Sequence, residues 1–159
     1  MQVAFICNWH NRLHCDVRKG PNQKSKLRTY RIFKLKHEFE PYLSYLLNVK
    51  HKSHLARFRC SSHKLQIEVG RYNGIAPHLR NCPHCEQDVE NEIHFLIECP
   101  YAELRQSMYI EIRKLHNVFT SMTSHEKFVF LMSSQEKRIV ICVAKYVFMF
   151  NELKERQNV

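Results

Sequence analysis

The sequence predicts a small, mainly α-helical domain with little or no β structure, gathered round one short cysteine–histidine knuckle. Three observations carry that expectation. Apolar residues recur every three or four positions as Leu104, Met108, Ile112 and Leu115, and again as Ile139, Val143, Tyr146, Phe150 and Leu153; this is the spacing of one helix face. Four residues of metal-ligating type stand at C-x2-C-x8-H-x4-C between Cys82 and Cys99. The chain has 159 residues, 44% of them hydrophobic, which suits one domain with a core of its own.

The elements follow in order. Residues 1–24 show no clear period and carry a turn signal at Gly20-Pro21-Asn22, so a poorly ordered basic leader is expected ahead of a single helical domain over 25–159. Residues 25–39 read as a helix, with Leu27, Tyr30 and Phe33 on a broad apolar face that Pro41 ends. Tyr42, Leu43, Leu46 and Leu47 give a second, short helix. Ser53 reads as the N-cap of a third, with Leu55, Phe58, Ser62 and Leu65 on one side. Gln66 to Tyr72 is short, tolerant of β structure and interrupted by Gly70; Asn73-Gly74 is a turn and 73–81 a loop. After Pro100 the 104–115 periodicity is a helix. Thr123 and Glu126 have capping-box spacing ahead of Phe128 to Met132, and Ser133 and Glu136 repeat it ahead of a longer helix. Core packing, rather than a coiled-coil partner, accounts for the stripe from Ile139 to Leu153.

Composition excludes several functions. The three glycines, Gly20, Gly70 and Gly74, cannot form a Gly-rich phosphate loop. Asp16 and Asp88 are the only aspartates, so the clustered carboxylates of a two-metal polymerase or nuclease are missing. No Ser/His/Asp arrangement is legible, and no enzyme activity is expected. Seven cysteines is an odd number for a secreted disulfide scaffold. The apolar run Val3 to Cys7 is too short for a signal-peptide core, and no stretch reaches the ~18 apolar residues of a membrane span. An intracellular protein with reduced thiols, in nucleus or cytoplasm and with no membrane partner, is the expectation.

Charge is divided unevenly. Residues 1–81 carry 16 basic and 4 acidic side chains, a net of +12, while residues 82–159 carry 9 and 11, a net of −2. Eight basic residues and no acid lie between Arg18 and Lys36. Such a field suits a polyanion, nucleic acid (RNA or DNA) or membrane headgroups, although a solvated basic face without a partner has the same composition. Lys26, Arg28, Arg31, Lys34 and Lys36 are the candidate phosphate contacts, extended by Arg57, Arg59, Arg71 and Arg80. Tyr72, beside Arg71, is placed to stack on a base. Tyr30, Phe33 and Phe58 are read as helix core.

The chemistry lies in the knuckle. Zinc takes four soft or borderline ligands in a tetrahedron. Cys82 and Cys85 form a tight pair round Pro83, and His94 and Cys99 supply the second pair. On a continuous α-helix, five positions rotate the chain by ~500°, leaving His94 and Cys99 ~140° apart. Both bind one ion only if the helix loosens near Glu98, which Pro100 encourages. His84 stands between the two cysteines and is expected to point away. Cys7, His10, His14 and Cys15 could hold a second metal on spacing alone. Cys60 and His63 read as a core thiol and a surface histidine, and Cys142 as core.

Several segments together look familiar: Ser25-Lys26-Leu27-Arg28-Thr29-Tyr30, Leu55-Ala56-Arg57-Phe58-Arg59, Ile67 through Asn73, Cys82-Pro83-His84-Cys85, Val89 through Leu96, and Cys99-Pro100. They resemble the C-terminal zinc-binding region that follows the reverse transcriptase in LINE-type, non-LTR retrotransposon polyproteins. The tail at 127–131 and 144–148 is also similar. The resemblance covers about residues 25–159 and is most specific between Gly70 and Pro100. It implies a CCHC zinc site at Cys82, Cys85, His94 and Cys99. It also implies a module that helps a polymerase hold its RNA template or target DNA, with a reverse transcriptase polypeptide as a further partner. The polymerase's aspartate motif belongs upstream in that family, and no Y-x-D-D or F-x-D-D occurs here. A detached, non-catalytic C-terminal piece is therefore expected. The alternative is a structural docking module whose C-terminal helices pack on a polymerase or other protein, with Val143 and Tyr146 at the contact.

Overall fold

Helical periodicity prevails throughout the computed structural model, which describes residues 27–45, 48–100 and 103–157. The predicted leader, Lys26, and the Cys7/His10/His14/Cys15 group lie outside them. The α-helices are α1 (Tyr30–Phe33), α2 (Tyr42–Tyr45), α3 (Val49–Arg59), α4 (Gln66–Tyr72), α5 (Glu103–Leu115), α6 (Ser124–Ser133) and α7 (Lys137–Gln157). Short 3-10 turns at Pro77–Leu79 and Asn117–Ser121 and a π-helical turn at His94–Glu98 join them. The described residues contain no sheet, and a single antiparallel bridge pairs Asn81 with Val89.

Helix α7 organises the rest. Ile139, Val140, Val143, Ala144, Tyr146 and Val147 are all buried along it. That double row is wide enough to take α3 on one side and α5 on another, with α2 and α6 also against it. Phe58 of α3, Ile112 of α5, Phe128 and Met132 of α6 and Leu96 of the π turn fill the space between. The stripe ends differently from its sequence pattern. Leu153 is 42% exposed, while Lys154 is buried, its ammonium bonded to Glu90 and lying 5.3 Å from the Phe150 ring centroid.

Four local expectations are corrected. The predicted helix over 25–39 is reduced to α1, because Lys34 turns extended (φ −91°, ψ 92°) and its ammonium binds Glu38 O at 2.8 Å and Glu40 at 2.9 Å. Glu40 is held in turn by Arg59, so tertiary charge pairing overrides local periodicity. Helix α3 begins at Val49, capped by Asn48, whose Oδ1 accepts from Lys50 N and His51 N at 2.9 and 3.3 Å; Ser53 lies inside it. Gln66–Tyr72 is helical despite Ile67 and Val69. The Thr123/Glu126 capping box forms as predicted. The second cap shifts by one residue, since Ser134 Oγ, not Ser133, accepts from Glu136 N at 3.2 Å.

Gly70 shows why α4 needs a glycine. A Cβ there would meet Arg80 Cγ at 2.6 Å. Arg80 cannot retreat, because its guanidinium donates to Ile75 O at 2.6 and 2.9 Å and to Ile67 O at 2.7 Å. Gly70→Ala gains at most ~1 kcal/mol of helix propensity and loses about 1–3 kcal/mol to overpacking. A lower urea midpoint with an unchanged slope is the expected result, and a raised midpoint contradicts this account of the contact.

Candidate metal centre

The knuckle is built on a small hairpin. Cys82 N donates to Asp88 O at 2.8 Å and Glu90 N to Arg80 O at 2.9 Å, so the chain folds back across the Asn81–Val89 bridge. Glu86 N donates to Cys82 O at 2.8 Å, closing the turn. Glu86 itself has φ +56°, a left-handed conformation uncommon outside glycine. The following segment starts a helical turn at Asn91, whose Oδ1 accepts from Ile93 N and His94 N, both at 2.9 Å. An Asn cap here places His94 on the first turn.

The loosened helix is a π turn. Cys99 N donates to His94 O at 2.7 Å, five residues back. A π-helix takes roughly 4.4 residues per turn, so five positions overshoot one full turn by only about 50°, against ~140° in an α-helix. The two side chains therefore share a face. Cys99 is extended (φ −53°, ψ 121°) ahead of Pro100. Carbonyls that the turn frees find other donors: Tyr146 Oη to Phe95 O at 3.2 Å, Tyr109 Oη to Leu96 O at 3.4 Å, and Arg105 Nη2 to Cys99 O at 2.5 Å. Phe95, Leu96 and Ile97 are buried in the main core, which fixes the turn's orientation.

These pieces bring Cys82, Cys85, His94 and Cys99 together. All four are buried, and one ligand atom from each lies within 4.8 Å of every other. Cys82 Sγ and Cys99 Sγ are 3.9 Å apart, and Cys85 Sγ is 3.3 Å from His94 Nε2. His94 Nδ1 is buried and makes no hydrogen bond to the chain. His84 stays outside the cluster, with its ring edge-on to Phe150 at 5.6 Å. Three sulfurs and one imidazole nitrogen, closed off from solvent, can hold a metal ion with no position left open for a substrate.

The thiols differ in their readiness to ionise. Burial pushes Cys82 up to about 12, although the backbone N–H groups of Cys85 and His84 work the other way. At Cys85 burial also raises the pKa. The N–H groups of Gln87 and Asp88, with the Cys82 and Cys99 thiols, outweigh it and hold Cys85 below the ordinary thiol value. Backbone N–H groups aimed at sulfur are the donors a bound thiolate needs.

A second buried cluster, invisible in the spacing, ties this centre to the front of the chain. Glu92 accepts from Thr29 Oγ1 at 2.5 Å and pairs with Arg28 and, at 2.8 Å, with His63 Nε2. Arg28 also binds Glu68 at 2.6 Å, which Arg71 holds at 2.7 Å. His63, expected at the surface, is thus an interior partner of a carboxylate. Cys60 and Cys142 are half-buried. The signal that was available is the scarcity of acids in a basic half: Glu40 and Glu68 are two of only four there.

That cluster redraws the predicted nucleic-acid contacts. Arg59 is buried between the Phe33 and Tyr42 rings and donates to Met132 O and Glu40, and Arg80 is buried against backbone carbonyls. Both are structural, a correction that follows from the cost of freeing a paired internal charge. Arg28, Lys34 and Arg71 are likewise drawn onto Glu92, Glu40 and Glu68. Arg31 is half-buried, with Nε enclosed and without a hydrogen-bond partner. Lys36, Arg57 and Tyr72 are exposed, and Arg71 lies 4.4 Å over the Tyr72 ring. No helix of the described residues is long and apolar enough to cross a membrane. Comparison with known proteins finds no matching family model, curated protein or solved structure.

Proposed function

We propose that the chain is a zinc-organised, nucleic-acid-binding accessory module without catalytic residues of its own, of the kind that follows the reverse transcriptase in non-LTR retrotransposons. The observation that carries it is the closed CCHC cluster. Zinc–sulfur and zinc–nitrogen bonds of about 2.3 and 2.05 Å in a tetrahedron give edges of about 3.8 Å between sulfurs and about 3.6 Å between sulfur and nitrogen. The Cys82–Cys99 and Cys85–His94 separations, 3.9 and 3.3 Å, lie within a few tenths of these edges, and every other pair of ligand atoms is within 4.8 Å. A buried, S-rich, four-ligand site selects zinc over hard cations, and its role is to hold a fold rather than to activate water.

Nucleic-acid binding is supported by the basic front half and the exposed Lys36, Arg57 and Tyr72. Internal pairing reduces the number of charges available, so the interaction is weak and electrostatic. With about three phosphates neutralised, log K against log salt should fall with a slope near −3 on duplex, and Kd should lie around 10⁻⁴–10⁻⁶ M at physiological salt. Anisotropy titrations with labelled RNA and DNA, with and without chelator, test this. Absence of binding at low salt overturns it.

A docking role is favoured by one observation, the exposed apolar side chains Met149 and Leu153 on α7. Val143 and Tyr146, the residues the sequence suggested for that contact, are interior. Substitutions there would test folding, so Met149→Ser with Leu153→Ser is the appropriate probe of a protein complex.

A further inference from the structure

We infer that the nucleic-acid contact lies on the outer face of α3 and the adjoining flank of α7, where Lys50, His51, His54, Arg57 and Lys145 form a surface for the phosphate backbone. The inference rests on the nucleic-acid reading above and assigns it a place, different from the basic run before Lys36. Helix α3, VKHKSHLARFR, contains no acid, and α7 contains none from Lys137 to Asn151. These two helices pack on one another, which merges two acid-free stretches. Lys50 and Arg57 are two helical turns apart, about 10 Å along one side of α3, and both are exposed, as is Lys145. None of the three enters an ion pair among the described residues.

His51 and His54 complete the surface. Their rings lie 4.8 and 5.3 Å from that of Phe148 on α7, which fixes them beside Lys145, both partly exposed. Partial burial, then the nearby charges of Lys145 and His54, hold His51 below its ordinary value. Of the carboxylates nearest this face, Glu111 of α5 is tied to Lys114 at 2.6 Å, and Glu152 stands one turn beyond Phe148 at the C-terminal edge of the acid-free stretch. Nucleic acid suits this face better than a membrane does. Val49 of α3 and Met149, one turn beyond Lys145 on α7, are its exposed large apolar residues, whereas membrane-surface helices insert a continuous row of them. Imidazole and guanidinium groups also present planar donors to phosphate oxygens.

The test uses the zinc-loaded full chain, 20-nucleotide single-stranded and duplex RNA and DNA, and vesicles containing phosphatidylserine. Lys50→Glu, Arg57→Glu and Lys145→Glu together should weaken nucleic-acid binding at least tenfold more than a charge-matched control away from this face, Arg113→Glu, Lys127→Glu and Lys137→Glu. The salt slope should flatten by about two to three, with helicity and zinc content unchanged. If the reversed triple fails to fold, the glutamine triple at the same positions gives the same reading with a smaller loss. Equal effects in triple and control overturn the surface while leaving nucleic-acid binding intact. No binding by the unaltered protein overturns both, and binding to vesicles alone overturns the partner.

Discussion

Replacing Cys82 and Cys85 by serine is expected to abolish metal uptake, taking zinc from about one per chain to near zero, whereas Cys60→Ser and Cys142→Ser leave it intact. Zinc bound by such ligands contributes on the order of 10 kcal/mol to the folding of small finger peptides. The loss here should be local. The buried cysteines form a group apart from the main apolar core, while Phe95, Leu96 and Ile97 belong to that core. Hydrogen exchange should rise over 80–93 in the serine variant or after chelation, with α3, α6 and α7 still protected. Loss of the whole helical signal would show that the core depends on the metal.

Glu92→Ala should be among the most damaging single changes outside the ligands. The carboxylate is almost fully enclosed (side chain 6% exposed) and receives Thr29, His63 and Arg28. Removing one partner of such a buried cluster costs about 3–5 kcal/mol, toward the lower end here because Arg28 can turn to solvent. The pH dependence follows. Burial raises the Glu92 pKa, but the His63 hydrogen bond and charge, with Arg28 and Thr29, overcome it and hold the group at about 2. A pKa lowered on folding stabilises the protein fully above the unfolded value of about 4.3, and that stabilisation, about 3 kcal/mol, disappears as pH falls through the folded value. Urea midpoints of wild type and Glu92→Gln should therefore differ most at neutral pH and converge between about pH 4.5 and 2. Both proteins lose metal in acid, so their difference isolates the carboxylate. A difference that does not change with pH contradicts the assignment.

What could be read from the sequence was what depends on short-range spacing. The C-x2-C and H-x4-C pairs, the Thr123/Glu126 box and the helix over 104–115 need only neighbours along the chain. The requirement that the helix loosen ahead of Pro100 followed from rotation per residue, and the π turn at His94–Glu98 is the form it takes. Long-range charge pairing was not legible. Arg59 meets Glu40 across 19 residues and Lys154 meets Glu90 across 64; nothing in local periodicity marks a lysine as interior and Leu153 as exposed. The same pairing takes Arg28 and Lys34 out of the basic run, and Arg28 read as free because its acidic partners, Glu68 and Glu92, lie far along the chain. The acid-free faces of α3 and α7 were present in the sequence, but only their packing makes them one surface.

One zinc ion is proposed to lie between Cys82, Cys85, His94 and Cys99. X-ray absorption fine structure on the zinc-loaded protein measures this most directly. The geometry predicts three sulfur neighbours at about 2.3 Å and one nitrogen at about 2.0–2.1 Å, with the imidazole's outer shells visible. A shell dominated by oxygen, or one that keeps three sulfurs after Cys99→Ser, would contradict it.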